Sequence, residues 1–239
     1  MNDLWVRRYH PAPEATTRLV CLPHAGGSAS FYFPFSRALG STVEAVAVQY
    51  PGRQDRHTEP LADSISELAD GVTKALGDWT DLPVALFGHS MGALVGYEVA
   101  RRTPGVTALF VSGRRAPHLL REESVHTRTD DGIIAELKSL SGTEQRIFGD
   151  EELLRMVLPA LRADYRAVET YRHEPGPPLD VPVHALTGDD DPKARVPEVR
   201  EWERHTTRSF TLTTFSGGHF YLARHQQAIV GLVERTLAG

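Results

Sequence analysis

The chain has very little cysteine: Cys21 is the only one among 239 residues, so no internal disulfide can form. This usage is typical of a reducing compartment, and we expect a cytoplasmic protein. The sequence has no apolar run long enough to span a membrane. Its first residues also lack the uninterrupted apolar core of a secretory signal peptide. The sequence therefore predicts a protein that is neither secreted nor embedded in a membrane.

Positive charge is not in excess either, because 26 Lys and Arg residues face 31 Asp and Glu residues, for a net charge of -5. This balance argues against nucleic acid as a partner. The sequence contains no phosphate-binding loop, no dinucleotide fingerprint and no metal-ligand spacing, so we expect no cofactor and no metal. A hydrophobic share of 41% provides one sizeable core, and the length fits one large α/β domain.

Short β-rich runs alternate with helical patterns along most of the chain, and Leu4–Tyr9 can add an edge strand. Several runs are continuously apolar, as strands covered on both faces should be. This alternation predicts the α/β class, with a mostly parallel sheet flanked by helices. The predicted strands are Arg18–Leu22, Val43–Val48, Val84–Phe87, Ala108–Ser112, Val181–Leu186 and Phe210–Phe215. The predicted helices between and after them are Phe33–Leu39, Ile65–Leu76, Met91–Arg102 and Gln226–Leu237.

The segment 116–179 breaks this alternation, because it carries helical patterns and no strand signal. The patterns predict helices over Asp131–Leu140, Glu151–Leu158 and Leu161–Tyr171. Ligands of a parallel sheet bind at the carboxyl ends of its strands, so an insertion that follows such an end lies above the binding site. We therefore interpret this segment as a helical lid on a single domain 1–239. The core would then comprise about 1–115 and 180–239. The alternative is an ordinary crossover made of several packing helices.

The segment Gly88-His-Ser-Met-Gly92 lies between an apolar strand and a helix, which is the pattern of a nucleophile elbow. Such a turn strains the backbone of the central serine and lifts its hydroxyl above the sheet. Side chains at Gly88 and Gly92 would collide with the neighbouring strand and helix. The pattern predicts Ser90 as a nucleophile.

A serine nucleophile needs a histidine base and an acid that orients it. His219 follows the last predicted strand and two glycines, and it comes after the acid candidates in chain order. Asp189, Asp190 and Asp191 are adjacent beyond the preceding strand, and each could serve. We favour Asp191, since a proline follows it and fixes the local turn, with Asp190 the next choice.

Two backbone amides should complete the site as an oxyanion hole. One is that of Met91, at the start of the helix that follows the elbow. The other is that of Ala25, in the small-residue loop Leu22-Pro-His-Ala-Gly-Gly-Ser28. His24 and His89 lie close to these amides in sequence, and we expect both to pack rather than react. Cys21 lies within a strand and is interpreted as a core residue.

Six segments together resemble type II thioesterases, the stand-alone editing enzymes of polyketide and nonribosomal peptide assembly lines, which belong to the α/β-hydrolase superfamily. The Pro-Gly-Arg and Arg-Ala-Asp sequences are far more specific than the elbow. The segments are Leu22-Pro-His-Ala-Gly-Gly-Ser28, Val48-Gln-Tyr-Pro-Gly-Arg53, Phe87-Gly-His-Ser-Met-Gly-Ala93, Leu161-Arg-Ala-Asp-Tyr165, Gly188-Asp-Asp-Asp-Pro192 and Gly217-Gly-His-Phe220.

The resemblance implies an α/β-hydrolase fold and a triad of Ser90, Asp191 and His219. It implies hydrolysis of aberrant or stalled, mainly short acyl groups from the phosphopantetheine arm of an acyl or peptidyl carrier protein. A monomer is the default expectation. Medium-chain fatty acyl thioesterases and carboxylesterases of the same fold are the nearest alternatives. An acyltransferase and a catalytically inactive carrier-binding relative are further alternatives.

Five arginines invite a binding hypothesis, because carrier proteins are usually acidic. Arg53, Arg114 and Arg115 are the stronger candidates for docking a carrier or holding the pantetheine phosphate, and Arg56 and Arg121 accompany them. The alternative is that most of these side chains are solvated or pair with Glu122 and Glu123.

Overall fold

A seven-stranded sheet forms the centre of the protein in the computed structural model, which describes residues 4–79, 81–141 and 151–238. The strand order is β1-β3-β2-β4-β5-β6-β7, with β1 antiparallel to β3 and every other pair parallel. The strands are β1 Val6–Arg7, β2 Thr17–Leu22, β3 Val43–Val48, β4 Val84–His89, β5 Val106–Ser112, β6 Val183–Gly188 and β7 Phe210–Phe215. The predicted α/β class and parallel sheet are confirmed.

The central strands are buried on both faces, because their successive side chains enter two different cores. In β2, Val20 and Leu22 belong to one hydrophobic cluster, whereas Leu19 and Cys21 belong to the other. Cys21 is fully buried, as expected for a core residue, and burial raises the pKa of its thiol. Continuous apolar runs in the sequence therefore correspond to strands with helices on each side.

The helices divide between the two faces. One face is covered by α2 and α3, and the other by α1, α7 and α8. In α2, Ile65, Leu68 and Val72 recur at helical spacing and are buried, and the side chain of Ser64 caps the helix by accepting a hydrogen bond from the amide of Glu67. The helices are α1 Phe33–Ala38, α2 Ile65–Leu76, α3 Met91–Arg102, α4 Asp130–Ser141, α5 Glu151–Thr170, α6 Val196–Arg200, α7 Tyr221–Arg224 and α8 Gln226–Leu237.

The helices α4 and α5 lie between β5 and β6, in the segment 116–179 for which the sequence predicts helices, and we call them the insertion. The prediction of two helices, Glu151–Leu158 and Leu161–Tyr171, is wrong, because α5 is continuous through Pro159. A proline inside a helix costs about 3 kcal/mol. Packing offsets this cost, since Leu158, Leu161 and Tyr165 join one apolar cluster with residues of α4.

The edge strand is shorter than the sequence predicts, and β6 begins and ends later in the chain. The edge strand over Leu4–Tyr9 is reduced to Val6–Arg7, which pairs with Val48 and Ala47. Strand β6 begins at Val183 rather than Val181, because the intervening Pro182 has no amide hydrogen to donate to a ladder. None of the helices within the described residues combines the length and the apolar character needed to cross a membrane.

Candidate active site

Five loops meet at one edge of the sheet, because the parallel strands that precede them all end there. The register places Leu22 of β2 beside Gly88 of β4, and His89 of β4 beside Ser112 of β5. Gly188 of β6 lies beside Phe215 of β7 in the same way. Residues that follow these strands are therefore brought together although they lie far apart in sequence.

Ser90 occupies the strained turn that the sequence predicts, with φ 55° and ψ -113°. A positive φ is unfavourable for a side-chain-bearing residue, and here the amide of Ser90 donates to the carbonyl of Ser112 at 2.8 Å. A Cβ at Gly88 would come within 2.1 Å of the carbonyl oxygen of Gly92. A Cβ at Gly92 would come within 2.0 Å of the carbonyl oxygen of Leu22. Close backbone packing thus explains both glycines of the elbow.

His219 lies between Ser90 and Asp191 and bonds to both. Its Nε2 is 3.0 Å from Oγ of Ser90, and its Nδ1 is 2.9 Å from Oδ2 and 3.0 Å from Oδ1 of Asp191. His219 and Asp191 are each 3% exposed, whereas Ser90 remains partly open. This is the arrangement in which a histidine can take the hydroxyl proton while a carboxylate orients the ring.

The other two aspartates of the acidic loop face solvent and serve the loop itself. Asp189 accepts a hydrogen bond from the amide of Gly217 at 2.8 Å, and the amide of Asp190 donates to the carbonyl of Gly217 at 3.0 Å. These bonds tie the acidic loop to the loop that carries His219. The preference for Asp191 over Asp190 therefore agrees with the geometry.

Neither the amide of Ala25 nor that of Met91 donates a hydrogen bond to another residue in the described part of the chain. Ala25 lies beside Ser90 in the wall of one cavity, and Met91 is the first residue of α3, where helix amides point outward without an intrahelical partner. Two free amides next to a serine hydroxyl can bind a developing oxyanion.

An ion pair connects the insertion to the loop that carries Ala25. Arg53 donates to both carboxylate oxygens of Asp164, at 2.7 and 2.9 Å, and to the carbonyl of Gly27 at 3.1 Å. Asp164 also accepts from the amide of Gly26 at 2.7 Å. Burial lowers the pKa of Arg53, but the charge and hydrogen bonds of Asp164 outweigh this and raise it. The two most specific sequence motifs thus bond to each other and hold this loop.

His24 and His89 pack against the site, as expected, and their rings are neutral. Burial, with the charge of His219 as the second cause, lowers the pKa of His24 to about 3 and holds that of His89 well below its ordinary value. The ring of His89 lies 5.1 Å from that of His219, and its Nδ1 is 2.9 Å from Oγ of Ser112. Ser112 in turn is 2.6 Å from the hydroxyl of Tyr221. The hydrogen-bonded side chains of His89, Ser112 and Tyr221 thus pack next to the ring of His219.

A cavity between the sheet edge and the insertion contacts Ser90, His219 and Ala25. The helices α4 and α5 contribute mainly apolar side chains to its wall together with Glu169, and the loops contribute most of the charged ones. The remaining lining residues are His24, Arg114, Glu123, Leu137, Leu140, Tyr165, Val168, Lys193 and Phe220. Such a mixture can hold an alkyl chain together with a few polar atoms.

The arginines expected to dock a carrier are buried, with Arg53 at 6%, Arg114 at 8% and Arg115 at 4% exposure. Arg115 bonds to Glu123 at 2.9 Å, which is the pairing that the sequence left open. These placements leave little guanidinium surface for a protein partner and do not support the docking role. Burial, with the charge of Arg115 as second cause, lowers the pKa of Arg114 to about 9.

Sequence reasoning missed the role of Asp164 and the polar wall that Glu123 and Lys193 form. The Arg-Ala-Asp motif marked Asp164, but nothing in the sequence named its partner. Lys193 lies two residues beyond Asp191 and bonds to Glu123 at 2.7 Å. Its nearness to the predicted acid was the available signal.

The chain belongs to the thioesterase family, because a family model described as thioesterase domain matches residues 17–237. Among curated proteins, thioesterase PikA5 of Streptomyces venezuelae is 55% identical over 227 residues, which cover 92% of this chain and 81% of that protein.

Solved structures agree with this assignment. The type II thioesterase BorB from the borrelidin biosynthetic cluster is 51% identical, with a TM-score of 0.93 and 98% of each chain covered. YbtT, a type II thioesterase from the yersiniabactin pathway, is 31% identical, with a TM-score of 0.85 and 97% of each chain covered. These likenesses confirm the resemblance to type II thioesterases and the predicted α/β-hydrolase fold.

Proposed function

We propose that this protein is a serine thioesterase that releases aberrant or stalled, mainly short acyl groups from the phosphopantetheine arm of carrier proteins in polyketide or nonribosomal peptide biosynthesis. The main support is the hydrogen-bonded series Ser90–His219–Asp191 beside two free amides. Relatives from such pathways support the substrate class. We expect it to act as a monomer in the cytoplasm.

In the proposed first half-reaction, Oγ of Ser90 attacks the thioester carbonyl while Nε2 of His219 takes the hydroxyl proton. Asp191 accepts from Nδ1 and stabilises the imidazolium that results. The amides of Ala25 and Met91 bind the oxyanion. The carbon–sulfur bond breaks, and His219 returns the proton to the leaving pantetheine thiol, which leaves an acyl ester on Ser90.

In the second half-reaction, His219 takes a proton from water as the water oxygen attacks the acyl ester. The ester bond to Ser90 breaks, the serine oxygen recovers a proton from His219, and a carboxylic acid leaves. We propose that α4 and α5 act as a lid in both steps. This role is supported by the cavity, whose wall receives Leu137 from α4 and Val168 from α5.

The test is hydrolysis of carrier proteins that bear acetyl, propionyl, malonyl and longer acyl groups on phosphopantetheine, with p-nitrophenyl esters alongside. We expect release of short acyl acids by the wild type and none by Ser90→Ala. Cleavage of the esters without turnover of acyl carriers would instead assign a carboxylesterase. Preference for medium chains would assign the fatty acyl alternative, and the comparisons favour neither.

A further inference from the structure

Arg114 is a buried cation in the wall of the cavity that also contacts Ser90 and His219. It follows Gly113 at the end of β5, where a Cβ would come within 2.6 Å of the ring of His89. Its carbonyl accepts a hydrogen bond from the indole of Trp202 at 2.8 Å. The backbone is therefore held in place, and the residue is 8% exposed and lines the cavity.

The guanidinium of Arg114 has no hydrogen bond or ion pair with any residue in the described ranges 4–79, 81–141 and 151–238. Its Nε is fully enclosed without an acceptor. The carboxylates that share the cavity wall are already engaged. Glu123 bonds to Arg115 at 2.9 Å and to Lys193 at 2.7 Å. Glu169 accepts from the amide of Val125 at 2.7 Å.

A buried charge without a partner costs stability. Arginine cannot escape that cost by losing its proton at neutral pH, and its planar fork suits the oxygens of carboxylates and carbonyl groups. Among the neighbouring charges, Arg115 disfavours the cation more than Glu123 favours it. The neighbouring side chains therefore do not compensate the charge of Arg114, and its guanidinium lacks an acceptor among the described residues.

The ligand that enters this cavity can supply it. We propose that Arg114 binds an oxygen atom on the acyl group itself, so that the site favours acyl chains bearing a carboxylate, keto or hydroxyl oxygen over plain alkyl chains of matched length. This inference rests on the proposed function, because it requires the acyl carbon to lie at Ser90. It assigns Arg114 to substrate selection rather than to carrier docking.

The test compares kcat/KM of the wild type and Arg114→Met on small N-acetylcysteamine thioesters, which remove any contribution of a carrier. The acyl groups are butyryl, 3-hydroxybutyryl, 3-oxobutyryl and malonyl. In Arg114→Met, we expect the ratio of oxygenated to butyryl substrate to fall about tenfold, the size of one charge-assisted hydrogen bond. The butyryl thioester is the reference substrate in each protein, so a general loss of turnover in Arg114→Met cancels in this ratio.

Arg121→Met is the matched control. It removes the same charge from the same loop, but Arg121 bonds to Glu198 at 2.7 and 2.8 Å and does not line the cavity. We expect its substrate ratios to equal those of the wild type. A loss confined to malonyl supports the inference and narrows the acceptor to an anion. Unchanged ratios in Arg114→Met, or an equal change in Arg121→Met, would overturn it.

A measurement on the wild type covers the case in which Arg114→Met does not fold. The amides malonamate, 3-oxobutyramide and 3-hydroxybutyramide should inhibit butyryl thioester hydrolysis at lower concentration than butyramide does, because all four share one amide and differ in the added oxygen. Equal inhibition constants would count against the inference. Failure of the proposed function has a different signature. In that case the wild type hydrolyses none of the thioesters, whereas failure of this inference alone leaves hydrolysis intact and only the ratios unchanged.

Discussion

Two buried arginines occupy opposite sides of the site, and they differ in one respect. Arg53 is 6% exposed and Arg114 is 8% exposed. Arg53 forms a bidentate ion pair with Asp164 and bonds to the carbonyl of Gly27. Arg114 has no such partner in the described part of the chain. Burial therefore does not define what an arginine does, and the presence or absence of an acceptor does.

The difference follows from where the acceptor originates. Asp164 reaches Arg53 from α5, so that this pair joins the insertion to the core and also holds the amide of Gly26. The carboxylate nearest in role to Asp164 at Arg114 is that of Glu123, which is bound by both Arg115 and Lys193. An arginine whose guanidinium is fully hydrogen-bonded within the protein holds the backbone in position. An arginine that lines a cavity without an acceptor can instead bind a ligand.

The largest expected effect is on kcat, and it compares two aspartates of one loop, of which Asp191 is buried and bonded to His219 and Asp190 is exposed. Asp191→Asn should lower kcat about 10⁴-fold, because an amide in place of a buried carboxylate stabilises the wrong tautomer of His219. Asp190→Asn should stay within about threefold, since Asp190 is exposed and takes part through its backbone amide. Steady-state kinetics on a butyryl thioester measure both variants. Near-normal turnover by Asp191→Asn would show that another acid serves His219.

The next largest effect is expected on removal of Arg53, the arginine that is paired with Asp164. Arg53→Met should lower the free energy of unfolding by about 3–5 kcal/mol, because it leaves the fully buried Asp164 without its countercharge. It should also lower kcat about 100-fold through displacement of the loop that holds Ala25. Urea unfolding and steady-state kinetics measure the two effects.

Two further variants separate stability from positioning. Arg53→Met with Asp164→Leu should recover most of the stability, because no buried charge remains, but not the activity, since the amide of Gly26 stays unheld. Arg166→Met is the matched control on α5, because its pair with Asp63 is exposed, and it should cost less than about 1 kcal/mol. Full recovery of kcat in the double variant would contradict a positioning role.

These contrasts also show what the sequence can and cannot predict. The sheet, the elbow and the order of Ser90, Asp191 and His219 follow from local patterns, since apolar runs, glycines and strand ends are all visible in the chain. The partners of Arg53 and Arg115 are not visible, because Asp164 is 111 residues from Arg53 and the contact depends on how α5 packs. From the sequence alone, Arg53, which is paired, and Arg114, which is unpaired within the described residues, are therefore assigned to the same docking surface.

The continuous helix α5 teaches a similar lesson. Pro159 favours a break by local propensity alone, and packing of Leu158 and Leu161 in the apolar cluster decides otherwise. Had α5 ended at Pro159, the turn that carries Asp164 would not be fixed relative to Gly26. Tertiary contacts thus override a local rule at a place where the candidate site depends on the outcome.

His24 is a buried histidine whose Nδ1 has no partner, and we expect it to make a smaller, pH-dependent contribution to stability. His24 Nδ1 is buried without a partner, like Nε of Arg114, but histidine can remain neutral. The pKa of His24 is about 3 in the folded state, so above pH 6.5 neither state binds the proton, and between pH 6.5 and 3 only the unfolded state does. At pH 5 this should cost about 2 kcal/mol of stability.

Urea unfolding of the wild type and His24→Asn between pH 7.5 and 4 measures this contribution. The variant should lose stability less steeply as the pH falls below 6.5, by about one proton or 1.4 kcal/mol per pH unit. Equal slopes in both proteins would mean that His24 takes up its proton in the folded state as readily as in the unfolded one.

The smallest expected effect is on the free energy of unfolding when Arg114 is replaced, and its sign is opposite to that expected for Arg53. Arg114→Met should leave the free energy of unfolding unchanged or raise it by about 1 kcal/mol, because it removes a desolvated charge and strands no carboxylate. Urea unfolding of Arg53→Met and Arg114→Met side by side measures the contrast. A large loss in Arg114→Met would mean that the folded protein already satisfies this cation. A gain in stability with a loss of selectivity would mean that the chain retains a costly charge for the ligand it binds.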